Sequence, residues 1–216
     1  GLPATNLLRA QEYQLASCNW RCWYCFVPFD RLSGDESLGR WVTAGEMVDL
    51  YSAEQDRPPV IDLTGGQPDL VPEWIVWTME ALSERGLEDQ CYLWSDDNLS
   101  NDYLWRLLTD GQRERLTTFR NYGRVGCFKG FDQTSFSFNT HAAPFLFDQQ
   151  FQLMARLVSL GLDVYAYATF TSPDVHAVEE SMPRFVDRLQ AIHEYLPLRT
   201  VPLEIQVFTP MVQRFR

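Results

Sequence analysis

The sequence is short of positive charge, and lysine is the scarcest basic residue. Its 216 residues include 29 acidic and 18 basic ones, for a formal net charge of −11, and Lys129 is the single lysine. A surface of this sign repels nucleic-acid backbones and anionic membranes, so neither is expected as a main partner. No apolar run is long enough to span a bilayer, and the start shows no basic-then-apolar signal peptide. We therefore expect a cytoplasmic protein.

The few histidines and cysteines argue against a histidine metal site and against a disulfide framework. The three histidines, His141, His176 and His193, have no metal-binding spacing. The five cysteines are odd in number and partly clustered, which does not suit a disulfide framework and fits a reducing compartment. With 45% hydrophobic and 22% charged residues, the chain is expected to form one globular domain over residues 1–216. The sequence does not decide whether further segments flank this domain.

Three of the cysteines lie within one short segment. Cys18, Cys22 and Cys25 follow a C-x3-C-x2-C spacing, whereas Cys91 and Cys127 stand alone. Three thiolates this close suit a metal ion or an iron–sulfur cluster. In a 4Fe-4S cluster held by three cysteines, one iron lacks a protein ligand. That iron can bind a small molecule, as the open position of a catalytic zinc site does.

The cysteine segment and a later glycine motif together resemble the radical S-adenosylmethionine (radical SAM) enzymes. The hallmark of that family is C-x3-C-x-aromatic-C, and Tyr24 takes the aromatic place here. A strand of the family also ends in Gly-Gly-Glu-Pro. Residues 65–68 of this chain read Gly-Gly-Gln-Pro, so Gln67 stands where the family usually has glutamate. The order of predicted strands and helices extends the resemblance over nearly the whole chain.

The resemblance implies that Cys18, Cys22 and Cys25 hold a 4Fe-4S cluster and that SAM binds its open iron. One low-potential electron, from a partner such as flavodoxin or ferredoxin, would split SAM into methionine and a 5′-deoxyadenosyl radical. That radical would take a hydrogen atom from an unidentified substrate. Contacts to SAM are expected from Tyr24, Gly65, Gly66, Gln67, Pro68, Ser137, Asn139, Thr169 and Phe208.

Strand and helix patterns alternate along the chain, as they do in α/β proteins. Strands are predicted over residues 12–16, 60–63, 91–95, 135–139, 164–170 and 203–208. Helices are predicted over residues 43–54, 73–86, 101–108, 148–161 and 183–195, the first opened by a Thr43–Glu46 capping box. Parallel strands joined by right-handed crossovers predict a partial (β/α)6 TIM-like barrel.

Three of the predicted strands carry polar side chains at alternate positions, which place them on one face. These side chains are Ser135, Ser137, Asn139, Tyr165, Tyr167, Thr169, Thr171, Glu204 and Gln206. Facing one another they predict a polar cavity, although an edge strand with a solvated face accounts for each strand taken alone. Substrate contacts are expected from Asp96, Asp97, Asn98, Tyr165, Glu204 and Gln206, close to the rim where barrel enzymes do their chemistry.

Two other function classes stay open. The cysteines could hold zinc or an iron–sulfur cluster in a structural or electron-transfer protein, and bound SAM would decide against that class. The chain could also be a degenerate relative that binds SAM or the cluster without radical catalysis. The departure at Gln67 allows this second class, and a SAM-cleavage assay would distinguish it from an enzyme.

Overall fold

The computed structural model describes residues 7–174 and 176–214. Six strands form one sheet in which every neighbouring pair is parallel, in the order β1 to β6. The strands are β1 (Ala10–Gln14), β2 (Val60–Thr64), β3 (Tyr92–Asp97), β4 (Tyr122–Phe128), β5 (Val164–Ala168) and β6 (Thr200–Pro202). β1 and β6 lie at the two edges of the described sheet, which therefore stays open. The predicted α/β class with a partial barrel is confirmed.

Eight α-helices connect or follow the strands within the described residues. They are α1 (Ala44–Ala53), α2 (Glu73–Glu84), α3 (Tyr103–Leu107), α4 (Asp110–Thr118), α5 (Gln133–Thr140), α6 (Leu146–Ser159), α7 (Ala177–Ile192) and α8 (Thr209–Arg214). No helix in this part of the chain is long and apolar enough to cross a membrane.

Local signals explain where the first helices begin and end. The predicted capping box is present at α1, where Thr43 Oγ1 accepts from the Glu46 N–H at 3.1 Å and the Glu46 carboxylate accepts from the Thr43 N–H at 2.7 Å. Gly86, two residues beyond the end of α2, has φ of 66°, a conformation that glycine adopts without steric cost. Both predicted helices are confirmed.

The sheet has one face packed under helices and one that lines a lumen. Ile61, Leu63, Leu93 and Ala166 point to the helix side and are fully buried. Residues paired in parallel register share a face, so Asp62 of β2 lies beside Trp94 of β3 on the other side. The lumen face is thus the one that carries partly exposed polar and aromatic side chains.

The predicted fourth strand is wrong, because residues 135–139 lie in α5. The Asp132 carboxylate accepts a hydrogen bond from the Ser135 N–H at 2.7 Å, and this N-cap starts a helix despite the strand-like alternation of serine and phenylalanine. The true fourth strand is β4, in a glycine-containing stretch for which the sequence predicts no strand. All seven of its residues are buried, so it shows no alternation of polar and apolar side chains.

The predicted sixth strand is also displaced. The sheet takes residues Thr200–Pro202, and residues 203–208 have no regular structure. Leu203 still donates its N–H to the Ala168 carbonyl at 2.9 Å, so the start of this segment follows the strand direction. Glu204 and Gln206 consequently reach the site from a loop.

The helix boundaries differ from the prediction at a proline in α7 and at a capping box that the prediction overlooks. α7 begins at Ala177, so Pro183, which is predicted to open the helix, lies inside it. The buried side chains of Phe185 and Leu189 pack this helix against the core. α4 is absent from the prediction, although Thr109 and Gln112 form a capping box there. β1 also lies two residues earlier than predicted.

Candidate active site

A cavity of about 310 Å³ opens where the carboxyl ends of the strands meet. Its walls come from the cysteine segment after β1, the glycine turn after β2, the ends of β3, β4 and β5, and the segment after β6. This is the end of the sheet at which barrel enzymes carry their catalytic groups.

The structure brings twelve of the predicted site residues together around this cavity. They are Cys18, Cys22, Tyr24, Cys25, Gly65, Gly66, Gln67, Asp96, Asn98, Glu204, Gln206 and Phe208. The other predicted residues do not line it, namely Pro68, Asp97, Ser137, Asn139, Tyr165 and Thr169. Several of these six instead support the residues that do.

The three clustered cysteines project from an irregular segment tied to its neighbours by backbone hydrogen bonds. The Cys18 N–H donates to the Leu32 carbonyl at 3.2 Å, and the Cys25 N–H donates to the Cys22 carbonyl at 3.0 Å. All three thiols are free. Burial raises the pKa of the Cys22 thiol to about 11, and the charge of Lys129 acts in the opposite direction.

The three thiols are of the ligand type that binds an iron–sulfur cluster. Among the described residues, no group of three cysteine, histidine or acidic side chains is arranged to hold one metal ion. A cubane cluster offers each cysteine a separate iron, so its ligands stand farther apart than those of one ion. The three free thiols lie on the wall of one cavity, and the positive irons would offset the cost of ionising buried thiols.

Arg214 holds the far side of the cysteine segment and was not predicted from the sequence. Its guanidinium donates to the Trp23 carbonyl at 3.0 Å and the Val27 carbonyl at 2.7 Å, and also to the carbonyl of Cys25. Five fixed donors let one arginine satisfy several carbonyls of a loop. A contact spanning nearly the whole chain leaves no local sequence signal.

The glycine turn packs directly on the backbone that leads into the cysteine segment. Gly65 and Gly66 have φ of 56° and 68°, where other residues are strained. A Cβ at Gly66 would lie 2.3 Å from the carbonyl oxygens of Leu15 and Ser17. The glycines thus permit a close approach between the two motifs, in addition to the approach to SAM that the resemblance implies.

The Gln67 side chain is completely buried, with both ends of its amide bonded to protein groups. Its Nε2 donates to Asp97 Oδ1 at 2.8 Å, and its Oε1 accepts the backbone N–H of Asn98 at 2.8 Å. Its own N–H donates to the Ser17 carbonyl at 2.8 Å. Gln67 therefore joins β3 to the cysteine segment, and its predicted contact with SAM stays a prediction.

A buried ion cluster lies behind Gln67. Arg124 of β4 donates to Asp97 Oδ2 at 2.8 Å and also contacts Asp69, and all three side chains are at most 2% exposed. Burial raises the pKa of Asp69 to about 7, which the charge of Arg124 counteracts. The cluster explains why Asp97 points away from the cavity. Sequence reasoning misses it because Arg124 lies in the strand that the patterns do not predict.

Asn139 connects three elements around the cysteine segment. Its Oδ1 accepts from Trp23 Nε1 at 2.8 Å and from Thr171 Oγ1 at 2.6 Å. Its Nδ2 donates to the carbonyls of Lys129 at 2.9 Å and Thr171 at 3.1 Å. All four hydrogen-bonding positions of the amide are occupied, so Asn139 supports the site from behind. Ser137 of α5 likewise bonds to a protein group, donating to the Ala142 carbonyl just beyond the helix at 2.6 Å.

Three aromatic residues, Tyr24, Phe26 and Phe208, flank the cavity. The Tyr24 hydroxyl lies 3.1 Å from Thr169 Oγ1, so the fully buried Thr169 fixes the ring that lines the cavity. Burial raises the pKa of Tyr24, which is therefore a neutral hydrogen-bonding group. The rings of Phe26 and Phe208 lie 5.9 Å apart and remain about half exposed.

Lys129 is the most informative residue to which sequence reasoning assigns no role. It follows β4 directly and, among the described residues, is the only basic one that lines the cavity. Burial lowers the pKa of Lys129, but the nearby groups of Cys127, Tyr24 and Cys22 outweigh this and raise it well above its usual value. A single cation thus faces a cavity of otherwise neutral or acidic groups.

The lumen beside the cavity is acidic. Asp96 Oδ2 accepts from Thr64 Oγ1 at 2.6 Å, and burial raises the pKa of Asp96. Asp62 was not predicted, yet burial and the charge of Asp96 raise its pKa to about 8. Tyr165 lies deeper along the same face, with its ring 5.7 Å from that of Trp94.

The fold is similar to that of two solved proteins. The crystal structure of Streptococcus suis SuiB bound to S-adenosylmethionine matches with a TM-score of 0.64 at 16% identity, over 93% of this chain and 41% of SuiB. Histidine-tagged anSMEcpe with bound AdoMet matches with a TM-score of 0.64 at 14% identity, over 91% of this chain and 51% of anSMEcpe. SuiB bound to the precursor peptide SuiA matches with a TM-score of 0.59 at 17% identity, over 85% of this chain and 36% of SuiB.

No protein-family model and no curated protein sequence matches the chain. The chain spans about half or less of the length of the two solved proteins, and identities this low establish the fold alone. That fold is the one implied by the cysteine and glycine motifs, so the fold expected from the resemblance is confirmed.

Proposed function

We propose that the chain is the catalytic core of a radical SAM enzyme. One observation carries this proposal: three free thiols and a glycine turn line a single cavity, in a fold shared with two SAM-bound proteins. A 4Fe-4S cluster bound by Cys18, Cys22 and Cys25 would pass one electron to SAM, giving methionine and a 5′-deoxyadenosyl radical that removes a hydrogen atom from the substrate. We propose flavodoxin or ferredoxin as the electron donor and the cytoplasm as the compartment, where free thiols persist.

The residues around the cavity would hold SAM by its charges and its ring. Lys129 is the group best placed to bind the carboxylate of SAM, because it is the only cation on the cavity wall within the described part of the chain. The carbonyl groups of Gly65 and Gly66 would accept hydrogen bonds from the ammonium group of the methionine part of SAM. Tyr24 and Phe208 offer the adenine an apolar surface, and the hydroxyl of Tyr24 is already oriented by Thr169.

We propose a peptide as the first substrate class to test. SuiB has been solved with the precursor peptide SuiA, and anSMEcpe with the Cp18Cys peptide. In this chain Val207 is 71% exposed and Phe26 and Phe208 are 45% and 46% exposed beside the cavity, an apolar rim that an extended chain can contact. Asp96, Glu204 and Gln206 would then bind the polar groups of the residue that enters the cavity.

The proposal is tested by anaerobic reconstitution followed by SAM cleavage. We expect about four irons per chain, and methionine with 5′-deoxyadenosine after addition of dithionite and SAM. Cys22→Ala should lose both iron and product, whereas Cys91→Ala, a matched change of another buried cysteine, should keep both. Zinc in the anaerobic native protein without iron uptake, or loaded protein that neither binds nor cleaves SAM, would contradict the proposal.

A further inference from the structure

The loop after β3 brings one side chain against a cysteine of the cluster segment. Asn98 Nδ2 lies 3.7 Å from Cys18 Sγ, within hydrogen-bonding distance of sulfur. The side chain also contacts Asn19 Oδ1 at 3.4 Å, and Asn98 as a whole is only 6% exposed. Because an amide nitrogen donates and a thiolate only accepts, a bond between the two is strongest when Cys18 is ionised.

The backbone of this loop is held tightly enough to aim the Asn98 amide. Gln67 Oε1 accepts the Asn98 N–H at 2.8 Å, and Gln150 Nε2 donates to the Asn98 carbonyl at 2.8 Å. The next residue, Leu99, has φ of 56°, a left-handed conformation that is unfavourable for leucine. Asp97 Oδ1 stabilises it by accepting the Leu99 N–H at 2.8 Å. Strained backbone fixed from both sides is characteristic of functional sites.

We infer that Asn98 is a positioning residue for the proposed cluster, donating a hydrogen bond to the Cys18 thiolate and thereby raising the reduction potential. This inference rests on the proposed function and replaces the substrate contact first expected of Asn98. A reduced cluster carries one more negative charge than an oxidised one, so its sulfurs accept hydrogen bonds more strongly. Donors to the sulfurs are among the features that set the potentials of iron–sulfur clusters.

The experiment is an EPR-monitored redox titration of anaerobically reconstituted protein without SAM. Asn98→Leu removes the donor at similar size. At the potential where the parent is half reduced, we expect its ratio of reduced to oxidised cluster to fall about tenfold, which is 59 mV for one electron. Asn98→Asp should lower the ratio further because it adds a negative charge. Asn121→Leu, which removes an asparagine amide bonded to the Glu88 carbonyl at the other end of β4, should titrate like the parent.

A second measurement decides the matter if Asn98→Leu loads no cluster. In parent protein labelled with 15N at the asparagine side chains, pulsed EPR of the reduced cluster should show a weak coupling to an amide nitrogen. An absent coupling, or a fully loaded Asn98→Leu with the parent's midpoint, would overturn the inference while leaving the proposed function intact. Parent protein that takes up no iron would overturn both.

Discussion

Replacing Gln67 by the family's usual glutamate should damage this protein. The glycine motif alone suggests that Gln67→Glu would bind SAM at least as well as the parent. The structure leads to the opposite expectation, because Gln67 Nε2 donates to the Asp97 carboxylate at 2.8 Å and the side chain is fully buried. The substitution replaces that donor by an oxygen carrying negative charge, next to an existing carboxylate.

The expected loss of stability follows from two terms. A buried hydrogen bond to a charged group contributes about 1.5–3 kcal/mol, and it is lost. Two like charges about 4 Å apart repel by about 4 kcal/mol at an effective dielectric constant near 20. Arg124, bonded to Asp97 at 2.8 Å, attracts the new charge and offsets part of this. We therefore expect the free energy of unfolding to fall by about 3–5 kcal/mol, as for an uncompensated buried charge.

Urea unfolding at neutral pH measures this loss, with Gln112→Glu as the matched control. Gln112 lies at the exposed start of α4 in a capping box, where glutamate serves equally well, so its unfolding free energy should change by less than about 0.5 kcal/mol. Adding Asp97→Asn to Gln67→Glu restores the total charge of the cluster and should recover part of the stability. Equal unfolding free energies for Gln67→Glu and the parent would refute this reasoning.

The same substitution should become more harmful as pH rises. Burial beside Asp97 pushes the folded-state pKa of the new carboxyl above its unfolded value of about 4.3. Between those two pKa values the folded state binds more protons than the unfolded state, so stability falls with increasing pH. The stability difference between parent and Gln67→Glu should therefore be smaller at pH 5 than at pH 8.

Three further predictions concern the two motifs and the cation. Cys18→Ala and Cys25→Ala should each abolish iron binding measured after reconstitution, while Cys127→Ala should retain it. Lys129→Met should weaken SAM binding to the cluster-loaded protein by about 1.5–3 kcal/mol, the contribution of a bond to a charged group. Lys129→Arg should weaken it less, and equilibrium dialysis measures both. An unchanged affinity of Lys129→Met would show that Lys129 does not bind SAM. Gly66→Ala should destabilise far more than Gly86→Ala in urea unfolding, since only the former meets backbone atoms at 2.3 Å, and equal losses would contradict the close approach.

Local chemistry allowed the sheet class and most of the cavity to be predicted. Capping boxes, turn glycines and the cysteine spacing act over a few residues, and their consequences are readable without tertiary contacts. The strand β2 and the helix α1 lie almost where the patterns put them. The same local signals put the cysteine segment after the first strand and the glycine turn after the second, and in the structure both line the cavity.

The errors arise where tertiary burial overrides local pattern. β4 is buried on both faces, so Arg124 and Cys127 carry no alternating signal, and the alternation that predicts a strand belongs to α5. The two mistakes are linked, because assigning residues 135–139 to a strand leaves β4 without a place in the sheet. Contacts such as Arg214 with the Cys25 carbonyl, 189 residues away, cannot be inferred from one sequence.

The departure at Gln67 can be understood only together with Arg124, Asp97 and Asp69. One buried guanidinium already serves two carboxylates, and burial raises the pKa of Asp69. A third carboxylate would exceed what one arginine can neutralise, whereas a glutamine donates to Asp97 and accepts from Asn98 without adding charge. The glutamine is thus matched to its surroundings, and its presence no longer favours a degenerate, non-catalytic relative. Since Gln67 also holds the backbone of Asn98, whose side chain contacts Cys18, the same residue connects the buried ion cluster to a proposed cluster ligand.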